Sequence, residues 1–202
     1  MAKNSLASPV DLVVIGGSAG SLDVILRMLP PLSHDLRFPV IIVLHRKSTF
    51  DSSLSDLFAT RTSLTVKEAE EKEYLRPGVI YLAPADYHLL VEKNLTLSLD
   101  YSEKVNYSRP SIDVTFQTAA DALEGNLAGI LLSGANADGA LGLKTIHSAG
   151  GITAAQNPGS AEMPYMPNQA LALSVVDYIL NIDEIAYFVN KLSDSKTKFH
   201  SE

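Results

Sequence analysis

The chain has 202 residues, 46% of them hydrophobic and 19% charged, with a formal net charge of −7. That is enough for one domain with a substantial core, and the acidic balance argues against nucleic-acid binding through bulk electrostatics. There are no cysteines, which excludes disulfides, thiol catalysis and cysteine metal sites. No signal-peptide stretch and no run of about 18 apolar residues appears, so the expectation is a cytoplasmic protein without direct membrane insertion.

Residues 1–10 read as a polar lead-in. An apolar strand over 12–16 runs into the small-residue turn Gly17-Ser18-Ala19-Gly20. A helix over 21–29 follows, with Leu22, Ile25, Leu26 and Leu29 at helical spacing. The continuous apolar run over 39–44, ending at His45, predicts a strand covered on both faces, as in a parallel sheet. A helix over 51–60 carries Leu54, Leu57 and Phe58 on one face, and a short strand covers 64–66. The charged stretch 68–73 reads as a solvated loop. A strand over 79–82 precedes a β-hairpin, 88–91 with 95–99, turning at Glu92-Lys93-Asn94. A polar loop then leads to a helix over 112–123 and a buried strand over 128–133. That strand ends in the small polar turn Gly134-Ala135-Asn136-Ala137-Asp138-Gly139. Helices over 140–148, 168–173 and 183–192, with strands over 152–155 and 175–179, complete the pattern; 193–202 is a polar tail. Alternating strands and helices predict an α/β fold of three layers, a mainly parallel sheet with helices on both faces, plus the hairpin.

The turn after the first strand admits three readings. It departs from the dinucleotide glycine pattern and from the Walker pattern, which weakens a nucleotide phosphate loop. Ser18 or Ser21 can serve as a helix cap. Ser18 can also be a nucleophile, given a histidine and a carboxylate. Ser18, His45 and Asp138 each lie just past the carboxyl end of an apolar strand, and in a parallel sheet those ends share one edge. A histidine there can take the serine proton near neutral pH, and a carboxylate fixes the histidine tautomer. Asp138 can alternatively be the N-cap of the helix after it. His88 reads as half of a surface pair with Asp86 or as part of the site rim, while His147 and His200 do not look catalytic. No histidine pair has metal-ligand spacing, and no cofactor is expected.

Several stretches in order resemble the catalytic domain of the chemotaxis protein-glutamate methylesterase family, CheB. They are Ile15-Gly16-Gly17-Ser18-Ala19-Gly20-Ser21, His45, the stretch from Pro77 to His88, Arg109-Pro110-Ser111-Ile112-Asp113, Leu132-Ser133-Gly134-Ala135-Asn136-Ala137-Asp138-Gly139-Ala140, Ala155-Gln156-Asn157, and Met166-Pro167. The resemblance covers 11–192. It implies a catalytic triad of Ser18, His45 and Asp138 that hydrolyses glutamyl methyl esters on chemoreceptors, and in some members deamidates glutamines. The partner it implies is a methylated chemoreceptor or a related signalling protein. Ala19, Ala135 and Arg109 are the oxyanion or substrate-contact candidates. The family's methionine before the catalytic Asp is Ala135 here, the next glycine is Asn136, and the second glycine after the nucleophile is Ser21. The family's attached receiver domain has no counterpart in the ten residues before the first strand, so the expectation is an enzyme without one. The alternative is a catalytically weak adaptor that binds a receptor or signalling partner through the same face.

Overall fold

The structure, a computed structural model, describes residues 10–46 and 51–194. Chain order is β1 (Leu12–Gly17), α1 (Ser21–Met28), β2 (Val40–Leu44), α2 (Asp51–Ala59), β3 (Thr65–Glu68), β4 (Val79–Leu82), β5 (His88–Val91), β6 (Leu97–Asp100), α3 (Ile112–Leu123), β7 (Leu127–Leu131), α4 (Ala140–Ser148), β8 (Ile152–Gln156), α5 (Tyr165–Ala172), β9 (Tyr178–Leu180) and α6 (Ile182–Ser193). Seven strands form one sheet in the order β3-β4-β2-β1-β7-β8-β9, and every neighbouring pair is parallel. β5 and β6 pair antiparallel as the separate hairpin.

The continuous apolar strands are buried on both faces. In β1, Val13 and Ile15 face a layer that includes Ile25 and Met28 of α1 and Ile185 and Val189 of α6. Leu12 and Val14 face the opposite layer, with Ile112 and Phe116 of α3 and Leu143 of α4. Side chains alternate along a strand, so such a run needs a cover on each side. The hairpin packs on α3, where Thr115 Oγ1 donates to Leu89 O at 2.7 Å. The predicted α/β architecture is therefore observed, and no helix among the described residues is long and apolar enough to cross a membrane.

Four local expectations change. The charged stretch is not simply solvated: Arg46 pairs with Glu68, Lys67 Nζ with Glu73 at 2.8 Å, and Glu71 accepts Leu99 N–H at 2.7 Å, so the stretch ties β3 to β2 and β6. The last strand begins later than expected: Val175 O and the Asp177 carboxylate accept from the Thr153 hydroxyl, and Asp177 N–H reaches Thr153 O at 3.0 Å just before β9 begins at Tyr178. α5 starts at Tyr165, earlier than expected, with Pro167 inside its first turn, where a missing N–H costs no helical bond. α6 runs through Ser193, which is buried and whose hydroxyl accepts Arg37 N–H at 3.0 Å; the tail beyond 194 and the lead-in before Val10 lie outside the described residues.

Candidate active site

Parallel strands bring their carboxyl ends to one edge, and β1 is where the chain changes direction across the sheet, with β2 on one side and β7 on the other. Open α/β sheets carry their sites at such switch points. The residues that follow these three strands stay in the ladder for one more step. His45 N–H donates to Gly17 O at 3.3 Å, and Ser18 N–H donates to Ser133 O at 2.9 Å. Ser18 thus sits between the ends of the other two strands.

The turn after β1 is shaped by its small residues. Gly20 is the N-cap of α1 with φ 79°, and a Cβ there would lie 2.6 Å from Glu162 Cβ; only glycine meets both demands readily. Gly16 lies beneath α3, where a Cβ would come within 2.3 Å of Ile112 Cγ2. Neither Ser18 nor Ser21 caps the helix. The Ser21 hydroxyl turns back to Ser18 O at 2.5 Å, and the half-buried Ser18 hydroxyl makes no hydrogen bond among the described residues. Ser133, fully buried, holds the turn from the other side: its Oγ donates to Ala19 O at 2.8 Å and accepts Met163 N–H at 2.9 Å. Gln156 Oε1 in turn accepts Ser133 N–H at 2.9 Å. The backbone N–H groups of Ala19 and Ala135 donate to no acceptor among the described residues.

Asp138 sits opposite. It is fully buried, and Oδ2 lies 2.7 Å from His45 Nε2. It is not the N-cap of α4, whose N-cap is Gly139. It instead serves α3: Oδ2 accepts Ile112 N–H at 2.7 Å, and Oδ1 accepts Asp113 N–H at 3.2 Å and the Ser111 hydroxyl at 2.8 Å. Asn106 Nδ2 adds a bond to Oδ1 at 3.0 Å. Free N–H groups and the positive end of the dipole make a helix N-terminus a natural place for a buried carboxylate. Burial pushes the Asp138 carboxyl up, but the bonds from His45, Asn106, Ile112 and Ser111 outweigh it and hold the group below its ordinary value. Asp138 is therefore an anion, and a neutral imidazole facing it at this distance donates from Nε2 and keeps its lone pair on Nδ1. The long contact from Ser108 Oγ, 3.4 Å, reaches this Nδ1. Asp113, almost as buried, behaves oppositely. Burial raises it to about 6, with the Asp138 charge adding to the rise against a bond from Gly142 N–H.

Residues 13–189 match the family described as CheB methylesterase. The chain belongs to the CheB methylesterase family. A protein-glutamate methylesterase/protein-glutamine glutaminase from Bordetella parapertussis is 35% identical over 188 residues, covering 91% of this chain and 53% of that protein. A Leptospira interrogans protein that provisionally carries the same name is 41% identical over 185 residues, covering 92% of this chain and 96% of the relative. The chain thus spans nearly the whole Leptospira protein and about half of the Bordetella one. Among solved structures, the Thermotoga maritima CheB methylesterase catalytic domain superposes with a TM-score of 0.86 at 31% identity, covering 91% of this chain and 98% of that chain. The CheB methylesterase family is a hydrolase family, and the fold of the chain is its fold.

Of the residues singled out from sequence, His45 and Asp138 are in direct contact, and Ser18 occupies the adjoining strand end. Ala19 and Ala135 are exposed. Arg109 contacts its own loop: its Nη1 donates to Tyr101 O at 3.2 Å and Ser102 O at 2.6 Å, and its guanidinium lies 3.9 Å above the Tyr101 ring. It holds the 101–110 loop. His88 is not a surface group; it is 1% exposed, with Nδ1 accepting Ser111 N–H at 3.1 Å and Nε2 against Glu103 O at 3.0 Å. Sequence reasoning missed Asn106, Ser108, Ser133 and Asp113 as members of the site. Ser133 and Asp113 lie inside the family-like stretches, whereas Asn106 and Ser108 have only a polar loop to mark them.

Proposed function

We propose that the chain is a serine esterase that hydrolyses glutamyl methyl esters on a methylated chemoreceptor, in the cytoplasm. Ser18 attacks the ester carbonyl. His45 Nδ1 takes the Ser18 proton and later delivers it to the departing methanol. Asp138 orients the ring and stabilises the imidazolium. The tetrahedral intermediate carries its negative charge on the former carbonyl oxygen, and the Ala19 and Ala135 backbone N–H groups are the donors for it. Water then repeats the cycle and releases the glutamate. The domain that does this spans 11–192.

The observation that carries the reading is the 2.7 Å contact between His45 and a buried, ionised Asp138, with a serine hydroxyl at the next strand end that bonds to none of the described residues. Backbone donors would let Ala135 serve in place of the methionine of the family pattern, since the N–H is independent of the side chain. The same attack on a glutamine side chain would release ammonia, the second activity in the relatives' names. Methanol release from methylated receptor membranes tests the proposal. Wild type should release methanol and Ser18→Ala should not; equal release from both would refute it.

A further inference from the structure

Two ionisable carboxylates buried side by side are unfavourable unless donors stand between them. Asp138 is 0% and Asp113 3% exposed, and one group joins them. Asn106 Nδ2 donates to Asp138 Oδ1 at 3.0 Å and to Asp113 Oδ2 at 2.9 Å. A side-chain amide has two N–H protons, one for each carboxylate. The backbone aims it there. Asn106 and Tyr107 have φ of 50° and 62°, and Val105 and Ser108 exchange both backbone bonds, N–H to O at 3.2 and 2.9 Å. This is a two-residue turn of type I′ character, for which asparagine is suited. It turns Asn106 inward and leaves Tyr107 97% exposed. The next residue, Ser108, brings its hydroxyl to the far side of the His45 ring.

We infer that Asn106 is a positioning residue for the reaction: its amide bridges Asp138 and Asp113, and so fixes the charge and orientation with which Asp138 holds His45. The inference rests on the reading of Ser18, His45 and Asp138 as a triad. The ionisable groups around the bridge come from four elements: His45 after β2, His88 on β5 through Ser111, Asp113 in α3, and Asp138 before α4. Gly142 N–H of α4 donates to Asp113 Oδ1 at 2.6 Å, so Asp113 has a second anchor on one oxygen while the other accepts from the amide.

Two variants separate the bridge from the turn. Asn106→Gly removes the amide and keeps a residue at ease with positive φ; Asn106→Asp keeps shape and left-handed tolerance but places a third carboxylate at the pair. Three quantities are read: the Asp113 carboxyl titration by carbon NMR, the resonance of the His45 Nε2 proton, and the kcat and KM of methanol release. Both variants should move the Asp113 titration upward and shift the His45 Nε2 proton. They should lower kcat about tenfold or more with KM within about twofold, the scale seen when partners that orient a functional histidine are removed. An Asp113 titration that does not move in a folded variant would overturn the inference, and so would a wild-type kcat in both. If Asn106→Gly does not fold, Asn106→Asp decides. If wild type releases no methanol, the esterase reading falls, and the Asp113 and His45 resonances, which need no turnover, judge the bridge separately.

Discussion

The two sides of the His45 ring are built in opposite ways. On the carboxylate side every valence of Asp138 is engaged: two backbone N–H groups of α3, the Ser111 hydroxyl, the Asn106 amide and His45 itself. On the side of the proposed nucleophile the Ser18 hydroxyl and the Ala19 and Ala135 N–H groups have no hydrogen-bond partner among the described residues. In the proposed reaction the closed half fixes a tautomer before substrate arrives, and the open half is completed when a carbonyl enters. Preorganised donors are effective because they need not reorient as charge develops. The contrast locates rigidity and substrate chemistry in different loops, both anchored at the same sheet edge.

The contrast breaks most severely at Asp138. Asp138→Asn should lower kcat by about 10³- to 10⁴-fold, because an amide no longer enforces the proton on Nε2. Steady-state methanol release checks this, with circular dichroism to show that α3 persists. Ser133→Ala strikes the support of the open half. It strips Ala19 O and Met163 N–H of their partner and should cost about 1–3 kcal/mol in chemical denaturation.

Asp113 and Asp138 should also give opposite pH dependences of stability. Asp138 titrates below its ordinary value when folded, so its contribution is present above the ordinary carboxylate range and is lost as pH falls through the folded value. Asp113 titrates near 6 when folded. Its contribution is therefore full below the ordinary aspartate value and is lost as pH rises through about 6. Unfolding of wild type and Asp113→Asn between pH 4 and 7 should show that decline in wild type alone. The smallest effect is expected at the family departures. Ala135→Met and Asn136→Gly leave the backbone donors in place and should each change kcat by less than about tenfold; a large gain with either would show that the open half is misshapen in the native chain.

Much of this architecture is legible in the sequence because its signals are local. The continuous apolar runs of β1 and β2 announce a sheet covered on both faces, and the helix expected over 112–123 is α3 from end to end. Three strand ends followed by Ser18, His45 and Asp138 are enough to bring those residues under suspicion. What the sequence conceals is which partner each polar group takes. An aspartate just before a helix looks like a cap for that helix, yet Asp138 serves α3, more than twenty residues upstream. His88 reads in sequence as half of a surface pair or as part of the site rim, yet it is buried and receives the N–H of Ser111. Asn106 carries no local sign of its role, because the two carboxylates that it bridges meet only when α3 packs beside the loop before α4.

In the proposed mechanism Ser18 and His45 act in one proton-transfer step, and a double-mutant comparison of methanol release from methylated receptor membranes measures that coupling. Ser18→Ala and His45→Ala should each remove most of the activity, by about 10³-fold or more, with the double variant little worse than either, since members of a triad act as a unit. Losses that multiply in the double variant, or substantial activity in Ser18→Ala, would show that the two residues do not share a proton-transfer step.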